Sequence, residues 1–177
     1  MRSPLVIAVS LVAALVVGAA VWAAPQRSVT LEPRERVRGM LVVQGLAPGA
    51  NTALFGIYCE PAILKSGRYR RTCGRVPAVK RLFVGYGWFA PTRTAISRAW
   101  AASRWSMWID GEPVSLDEFG YADRTLYSYA PAGGRDVILR EWSITLVQPP
   151  PGRHTIRYRI RNPELSIDAT WEFTVTR

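Results

Sequence analysis

The sequence predicts an all-β fold, an antiparallel sandwich with one short helix. Two observations support this prediction. The carboxyl-terminal third alternates apolar and polar residues, and turns rich in proline and glycine separate the alternating stretches. Alternation with a period of two places one set of side chains on a core face and the other towards solvent, as in half-buried strands. No internal repeat and no regular alternation of strands with helices is visible, which disfavours a parallel α/β architecture.

The amino terminus has the composition of an export signal. Arg2 precedes an uncharged stretch, residues 5–24, whose only polar side chain is Ser10. A positive start, an apolar stretch and small residues at its end are the parts of a secretory signal peptide. Residues 1–23 are therefore predicted to be a signal peptide that is cleaved after Ala23. The alternative is an uncleaved membrane anchor, since about 20 apolar residues can span a bilayer.

The remaining chain is predicted to hold a flexible lead-in at residues 24–37 and one domain at residues 38–177. The chain has 23 basic and 13 acidic residues and a formal net charge of +10. Such a charge favours anionic partners, among them acidic glycans, wall polymers, lipid head groups and nucleic acid. Export disfavours nucleic acid, and contact with a membrane is expected only if the apolar segment is retained.

Cys59 and Cys73 are the two cysteines of the chain. In an oxidising compartment, an even pair predicts a disulfide bond. The bond would close a loop of about 15 residues, for which chain entropy gives a stabilisation of roughly 3 kcal/mol. Their spacing does not fit a thioredoxin-like redox pair. Because His154 is the single histidine, no metal site is predicted.

The elements of the first half follow from short apolar runs and from alternation. Apolar runs bounded by turn residues indicate strands at residues 40–43 and 54–59, and alternation indicates a strand at residues 81–88. Thr92 is placed to cap a helix at residues 92–103, where apolar side chains recur every three or four positions.

The second half is predicted to contain most of the strands. A tight turn at Asp110-Gly111 separates the first two of them, and a turn of three prolines and a glycine separates two later ones. Two polar stretches, residues 65–75 and 117–135, are predicted to be loops, with a brief strand pairing at Leu126, Tyr127 and Tyr129 as an alternative in the second. The strands are expected at residues 105–109, 114–116, 142–147, 155–161 and 171–176.

Four segments resemble bacterial secreted immunoglobulin-like domains, namely residues 105–111, 142–146, 151–154 and 171–175. The resemblance lies in an aromatic-rich strand, a Pro-Gly turn and an alternating return strand, and it covers about residues 38–177. It implies an immunoglobulin-like sandwich and no particular substrate, because such folds have many functions. The close spacing of the cysteines departs from antibody-type domains, whose disulfide joins distant strands.

No group of residues predicts a catalytic site or a cofactor. A hydrolase needs a nucleophile, a base and an orienting group in contact. His154 follows a Pro-Gly turn, where a half-buried ring that bonds to the turn is the expected arrangement. A small hydrolase with paired carboxylates remains an alternative, and its acids would come from Asp117, Glu118, Asp123 and Asp136.

Two basic features are candidate anion-binding sites. One is the loop with Lys65, Arg68, Arg70, Arg71 and Arg75, and the other is an outward stripe with Arg157, Arg159 and Arg161. The competing interpretation is a solvated surface, or edge charges that prevent aggregation of sheets.

Two aromatic side chains are candidates for exposed rings that a ligand could contact. Tyr69 lies inside the basic loop, and Trp108 is out of phase with its apolar neighbours. The expected function is a non-catalytic interaction or structural module, secreted or in the cell envelope. One alternative is a domain that binds an anionic glycan, wall polymer or lipid surface. The partner could also be another envelope protein.

Overall fold

A computed structural model describes residues 30–45, 53–59 and 64–177. The predicted signal peptide lies outside these residues. Among the helices that are described, none has the length and apolar character needed to cross a bilayer. Residues 30–37, which belong to the predicted lead-in, contribute to the fold, since Leu31 and Val37 are both buried.

The described residues form twelve strands and two α-helices. The helices are α1 (Arg93–Ala101) and α2 (Leu116–Phe119). The strands are β1 (Arg36–Val37), β2 (Met40–Gln44), β3 (Gly67–Val76), β4 (Arg81–Phe83), β5 (Gly87–Ala90), β6 (Arg104–Ile109), β7 (Glu112–Val114), β8 (Tyr121–Tyr129), β9 (Arg135–Trp142), β10 (Ile144–Val147), β11 (Gly152–Arg161) and β12 (Ser166–Val175).

The strands form two layers. One layer is the five-stranded sheet β3-β12-β11-β6-β7, and the other contains the four-stranded sheet β1-β2-β10-β4. The three-stranded sheet β5-β9-β8 continues the second layer. Its continuity rests on backbone bonds from Val84 N–H to the Ile144 carbonyl (2.9 Å) and from Trp142 N–H to the Tyr86 carbonyl (3.2 Å).

The core lies between the two layers. Inward residues of β11 and β12 pack with inward residues of β2, β4 and β10 in one buried cluster. Tyr158 is fully buried there, and its hydroxyl donates to the Val84 carbonyl of the opposite layer (3.1 Å). Burial of the strands on one face only leaves the opposite face of the five-stranded sheet available to solvent.

The predicted fold class is confirmed, because the described residues form an all-β, largely antiparallel sandwich in which the predicted short helix is present and α2 adds a single further turn. The predicted helix is α1, and the Thr92 side chain accepts a bond from Ala95 N–H at its first turn (3.2 Å). The Asp110-Gly111 turn is also confirmed, with positive φ angles of 50° and 93°. Cys59 and Cys73 form the predicted disulfide.

Both predicted loops are wrong. Most of residues 65–75 belongs to β3, which pairs in parallel with β12. The stretch at residues 117–135 contains most of α2 and all of β8, which pairs with β9. Charged residues occur on both faces of these strands, because β3 and β8 lie at sheet edges where long polar side chains reach solvent. Their sequences therefore lack the alternation that indicates a half-buried strand.

Two predicted strands also differ from the structure. Residues 54–59 form a tight turn, in which the N–H groups of Tyr58 and Cys59 both bond to the Leu54 carbonyl (3.1 Å each). Only isolated bridges at Ala53, Phe55 and Cys59 remain extended. The strand predicted at residues 81–88 is divided into β4 and β5, since the chain passes there from one sheet to the next.

Candidate anion-binding face

The outer face of the five-stranded sheet carries most of the predicted basic residues. Side chains alternate along each strand, so the residues between the buried positions of β11 and β12 point outward. The register partners of these residues are the outward residues of β3 and β6. We call this surface the arginine face. Its charged members are Arg68, Arg70, Arg75, Arg104, Arg153, Arg157, Arg159, Arg161, Asp168 and Glu172.

The structure brings the predicted loop and the predicted stripe together. Strand β12 lies between β3 and β11, so that Arg68 and Arg159 are both register partners of Asp168. Lys65 precedes β3 and lies outside the strand. Arg71 occupies an inward position opposite Trp171.

Sequence reasoning missed four charged members of this face, and alternation could have found two of them. Arg153 is in phase with the stripe on β11, and Arg104 is in phase with Trp108 on β6. Asp168 and Glu172 are also outward residues, but their roles depend on the neighbouring strands. The face thus carries eight arginines and two carboxylates.

Asp168 lies at the centre of the arginine face. Arg157 binds its carboxylate with two hydrogen bonds, from Nε to Oδ1 (2.7 Å) and from Nη2 to Oδ2 (2.6 Å). Arg159 adds a further bond from Nη2 to Oδ2 (3.1 Å). These hydrogen bonds, the one from Arg157 above all, lower the pKa of Asp168 to about 2. The carboxylate is therefore ionised at all ordinary pH values and neutralises part of the arginine charge.

Trp108 supports the two central arginines. The guanidinium carbon of Arg157 lies 4.9 Å from the ring centroid, and that of Arg159 lies 5.5 Å from it. Guanidinium groups stack favourably on indole, which fixes both side chains near the sheet. Trp108 was predicted to be an exposed ring, and it is half-buried beneath these groups.

Glu172 forms a second ion-paired cluster further along β12. Its carboxylate accepts from Arg70 and from Arg153 Nη2 (3.1 Å). The hydrogen bond from Arg70 is the main reason why the pKa of Glu172 is lowered. Both arginines are largely exposed, with 79% and 81% of their side chains accessible, so this cluster stays in contact with solvent.

Four arginines of the face have no carboxylate partner among the described residues: Arg68, Arg75, Arg104 and Arg161. All four are exposed. Arg104 and Arg161 are directly opposite each other on β6 and β11. Like charges in such a cross-strand pair repel each other. The positive potential of the face is therefore concentrated on residues that the fold does not neutralise.

Tyr69 and Arg71 lie on the other side of β3. Tyr69 is half-buried against the core, and its hydroxyl donates to the Lys65 carbonyl (3.0 Å). The Arg71 guanidinium carbon lies 5.9 Å from the Tyr69 ring centroid. These two residues therefore belong to the rim of the core and do not contribute to the arginine face.

The residues considered for hydrolysis do not form a shared site. Asp123 is bonded to Arg140, and Asp136 accepts from Ser128 N–H (2.9 Å). Asp117 and Glu118 lie exposed on α2. His154 is buried, and both of its ring nitrogens have hydrogen-bond partners.

His154, on β11, links the Asp110-Gly111 turn to the proline-rich turn before β11. Nδ1 lies 2.8 Å from Asp110 Oδ2, and Nε2 lies 2.8 Å from the Pro150 carbonyl. Bonding to Asp110 is the main cause that raises the pKa of His154. The ring bonds to the turn, as the sequence predicted, and the residue is only 3% exposed.

Comparison with known proteins finds only distant structural similarity. No protein-family model matches the chain, and no curated protein matches it. Among solved structures, PbICP-C in complex with falcipain-2 is similar with a TM-score of 0.35 and 14% identity, over 71% of this chain and 99% of that one. The cysteine protease inhibitor EhICP2 from Entamoeba histolytica is similar with a TM-score of 0.32 and 13% identity, over 71% and 94%.

Proposed function

We propose that the protein is a non-catalytic, extracytoplasmic binding domain that holds an anionic partner on its arginine face. The observation that supports this most strongly is the charge balance of the face, where eight arginines accompany two carboxylates. The Cys59–Cys73 disulfide supports an oxidising compartment, and the apolar segment at residues 5–24 supports export.

The arrangement favours binding over a surface that is merely solvated. Two arginines are held in place by Asp168 and Trp108, which reduces the entropy that they lose when a ligand binds. Guanidinium groups bind carboxylate and phosphate through paired hydrogen bonds. A sheet bearing such groups on one face presents them to an extended ligand without further change of the backbone.

Binding can be tested with polygalacturonate, a linear polymer of carboxylated sugars, and with neutral dextran as the control. We expect the protein to bind polygalacturonate at low salt, and we expect the affinity to fall steeply as sodium chloride is added. The physical reason is that exposed charges are screened over a Debye length of about 8 Å at physiological ionic strength.

A matched pair of variants assigns this binding to the face. Replacement of Arg153, Arg159 and Arg161 by serine should weaken binding, whereas replacement of Arg81, Arg98 and Arg135, which are exposed elsewhere, should have a much smaller effect. Isothermal titration calorimetry measures both affinities. If the parent binds neither polygalacturonate nor phosphatidylglycerol vesicles at low salt, the proposal is wrong.

A further inference from the structure

The unpaired arginines of the face are not equivalent. Arg68 lies beside Asp168 in register, and Arg75 lies at the far end of β3 beside Thr174. Arg104 and Arg161 are register partners on adjacent strands and share no carboxylate. Directly opposed residues have Cβ atoms about 5 Å apart, so the two arginine side chains leave the sheet from one small area and can reach the same anion.

No described side chain relieves this concentration of charge. The next residue outward on β12 is Ser166, the register partner of Arg161, and its N–H bonds to the Ser66 hydroxyl (3.1 Å). Glu164 in the adjoining turn forms no ion pair within the described part of the chain, although its N–H bonds to Asn162 (2.9 Å). The pair is thus bordered by serines and open to solvent, and it costs the sheet some stability unless an anion lies between the two groups.

The surface beside the pair indicates what kind of anion fits. From Arg104, the outward positions of β6 continue through Ser106 to Trp108, and those of β11 continue from Arg161 through Arg159 to Arg157. This strip is polar and aromatic, and the ring centroid of the Trp108 indole lies 4.9 Å and 5.5 Å from the Arg157 and Arg159 guanidinium carbons. Aromatic rings and arginines suit a sugar ring that carries a carboxylate, whereas a lipid surface would call for protruding apolar side chains.

The row of arginines along β11 has the length of a short oligomer. Arg161 lies eight residue steps beyond Arg153, and a strand rises by about 3.4 Å per residue, so this row extends over roughly 27 Å. A linear chain laid along β11 would meet an arginine at both ends of this row.

We infer that the Arg104–Arg161 pair is the primary site of the arginine face, and that it binds one carboxylate of a linear acidic glycan lying along β11. This inference rests on the proposed function and names its ligand class and its anchoring residues. The carboxylate would lie between the two guanidinium groups and offset their repulsion. The remaining sugars would extend towards Arg159 and Trp108, so a chain of sugar rings should bind better than an isolated anion.

The test compares two double variants that remove the same charge from the same face. R104S/R161S should bind a galacturonate trimer about tenfold more weakly than the parent, because two charge-assisted contacts are lost. R68S/R75S should change this affinity less than about threefold, because those arginines lie outside the strip. Titration of the full mature chain with oligomers of increasing length should show an affinity that rises until the oligomer spans the row.

The thermal melting temperature provides a second readout. R104S/R161S should melt at the same temperature as the parent or higher, because the substitution removes a repulsive pair. A lower melting temperature, or equal losses of trimer affinity in both variants, would overturn the assignment of the site while the proposed binding function stands. Binding to phosphatidylglycerol vesicles without binding to galacturonate oligomers would overturn the assignment of the ligand as a glycan and would identify the face as a lipid-binding surface.

Discussion

The protein contains two clusters of the same composition, an arginine bound by an aspartate and stacked on an aromatic ring. In the first, Arg140 donates to Asp123 from Nε (2.6 Å) and from Nη2 (2.8 Å), and its guanidinium lies 4.4 Å from the Tyr121 ring centroid. In the second, Arg157 donates to Asp168 with nearly the same distances and lies over Trp108. The hydrogen bonds and the stacking are equivalent, so other properties must separate the two clusters.

Burial is the property that differs. The side chain of Arg140 is 10% exposed, whereas that of Arg157 is 37% exposed. Helix α1 lies against β9, and its Trp100 contacts the Arg140 guanidinium at 5.9 Å from the ring centroid. No element of the described structure covers Arg157 in this way. The comparison shows that a covering helix, and not the chemistry of the cluster, decides whether an arginine serves the fold or remains available to a ligand.

The largest difference between the clusters should appear in stability. Arg140→Met removes the partner of a largely buried carboxylate, and such a loss costs about 3 kcal/mol of unfolding free energy, the lower end of the usual range. Asp123 retains Arg93 at 3.5 Å, which keeps the cost from being higher. Denaturation in urea, followed by tryptophan fluorescence, measures this change.

Arg157→Met is the matched control for that experiment. The Asp168 side chain is about as little exposed as that of Asp123 (16% against 14%), but it keeps its bond to Arg159, and Arg157 itself is 37% exposed, so the loss should be below about 1 kcal/mol. Equal losses in the two variants would contradict the conclusion that burial separates the clusters.

A strand can be predicted from the sequence more readily when its pairing partner is near to it along the chain. Strands β11 and β12 were predicted, at residues 155–161 and 171–176, because each alternates. Strand β3 was missed because its parallel partner, β12, lies about 100 residues further along the chain and its arginines occupy both faces. Pairing over such a separation leaves no local pattern, since only long-range packing determines it.

The arginine face was likewise predictable only in part. Arg157, Arg159 and Arg161 follow from alternation within one strand, and the sequence predicted them as a stripe. Their contact with Asp168 follows from the register of β11 on β12, which alternation does not specify. The opposition of Arg104 and Arg161 likewise needs the register of β6 on β11. Residue types were therefore predictable, and their neighbours were not.

A third ion pair, His154 with Asp110, is more buried than either cluster and sharpens the comparison through pH. Asp110 and the Pro150 carbonyl both accept hydrogen bonds, so both ring nitrogens must carry protons and the imidazole is charged. The pKa of His154 is raised above its ordinary value, mainly by Asp110. The stability that this pair contributes is complete below about pH 6.5, the unfolded value, and is lost as the pH rises through the folded value.

Replacement of the single histidine provides the control. His154→Gln should cost about 2 kcal/mol at pH 5.5, because Asp110 loses its charged donor. The variant should also lose less stability than the parent between pH 6 and pH 9, as urea denaturation across that range would show. If the parent and the variant have the same pH dependence, His154 is neutral in the folded protein.

The smallest effect on stability is expected for Asp168→Asn, and this variant separates holding the fold from binding a ligand. The pKa of Asp168 is about 2 in the folded protein and 3.8 ordinarily. The ionised carboxylate therefore contributes its full stabilisation above about pH 3.8 and loses it as the pH falls through about 2. At neutral pH a shift of this size corresponds to roughly 2 kcal/mol, but solvent screens the partly exposed arginines, so the substitution should change the unfolding free energy by less than about 1 kcal/mol.

The same substitution frees Arg157 and Arg159 from their only described carboxylate, so affinity for polygalacturonate should rise about threefold to tenfold, with a steeper dependence on salt. Calorimetric titration of parent and variant at two salt concentrations measures both changes. The equivalent substitution in the buried cluster, Asp123→Asn, should do the reverse, with a large loss of stability and no gain in affinity, because helix α1 keeps Arg140 away from any ligand. An unchanged affinity of Asp168→Asn would show that the central arginines do not contact the polymer, whereas a weaker affinity would show that their positioning by Asp168 outweighs the charge that it neutralises.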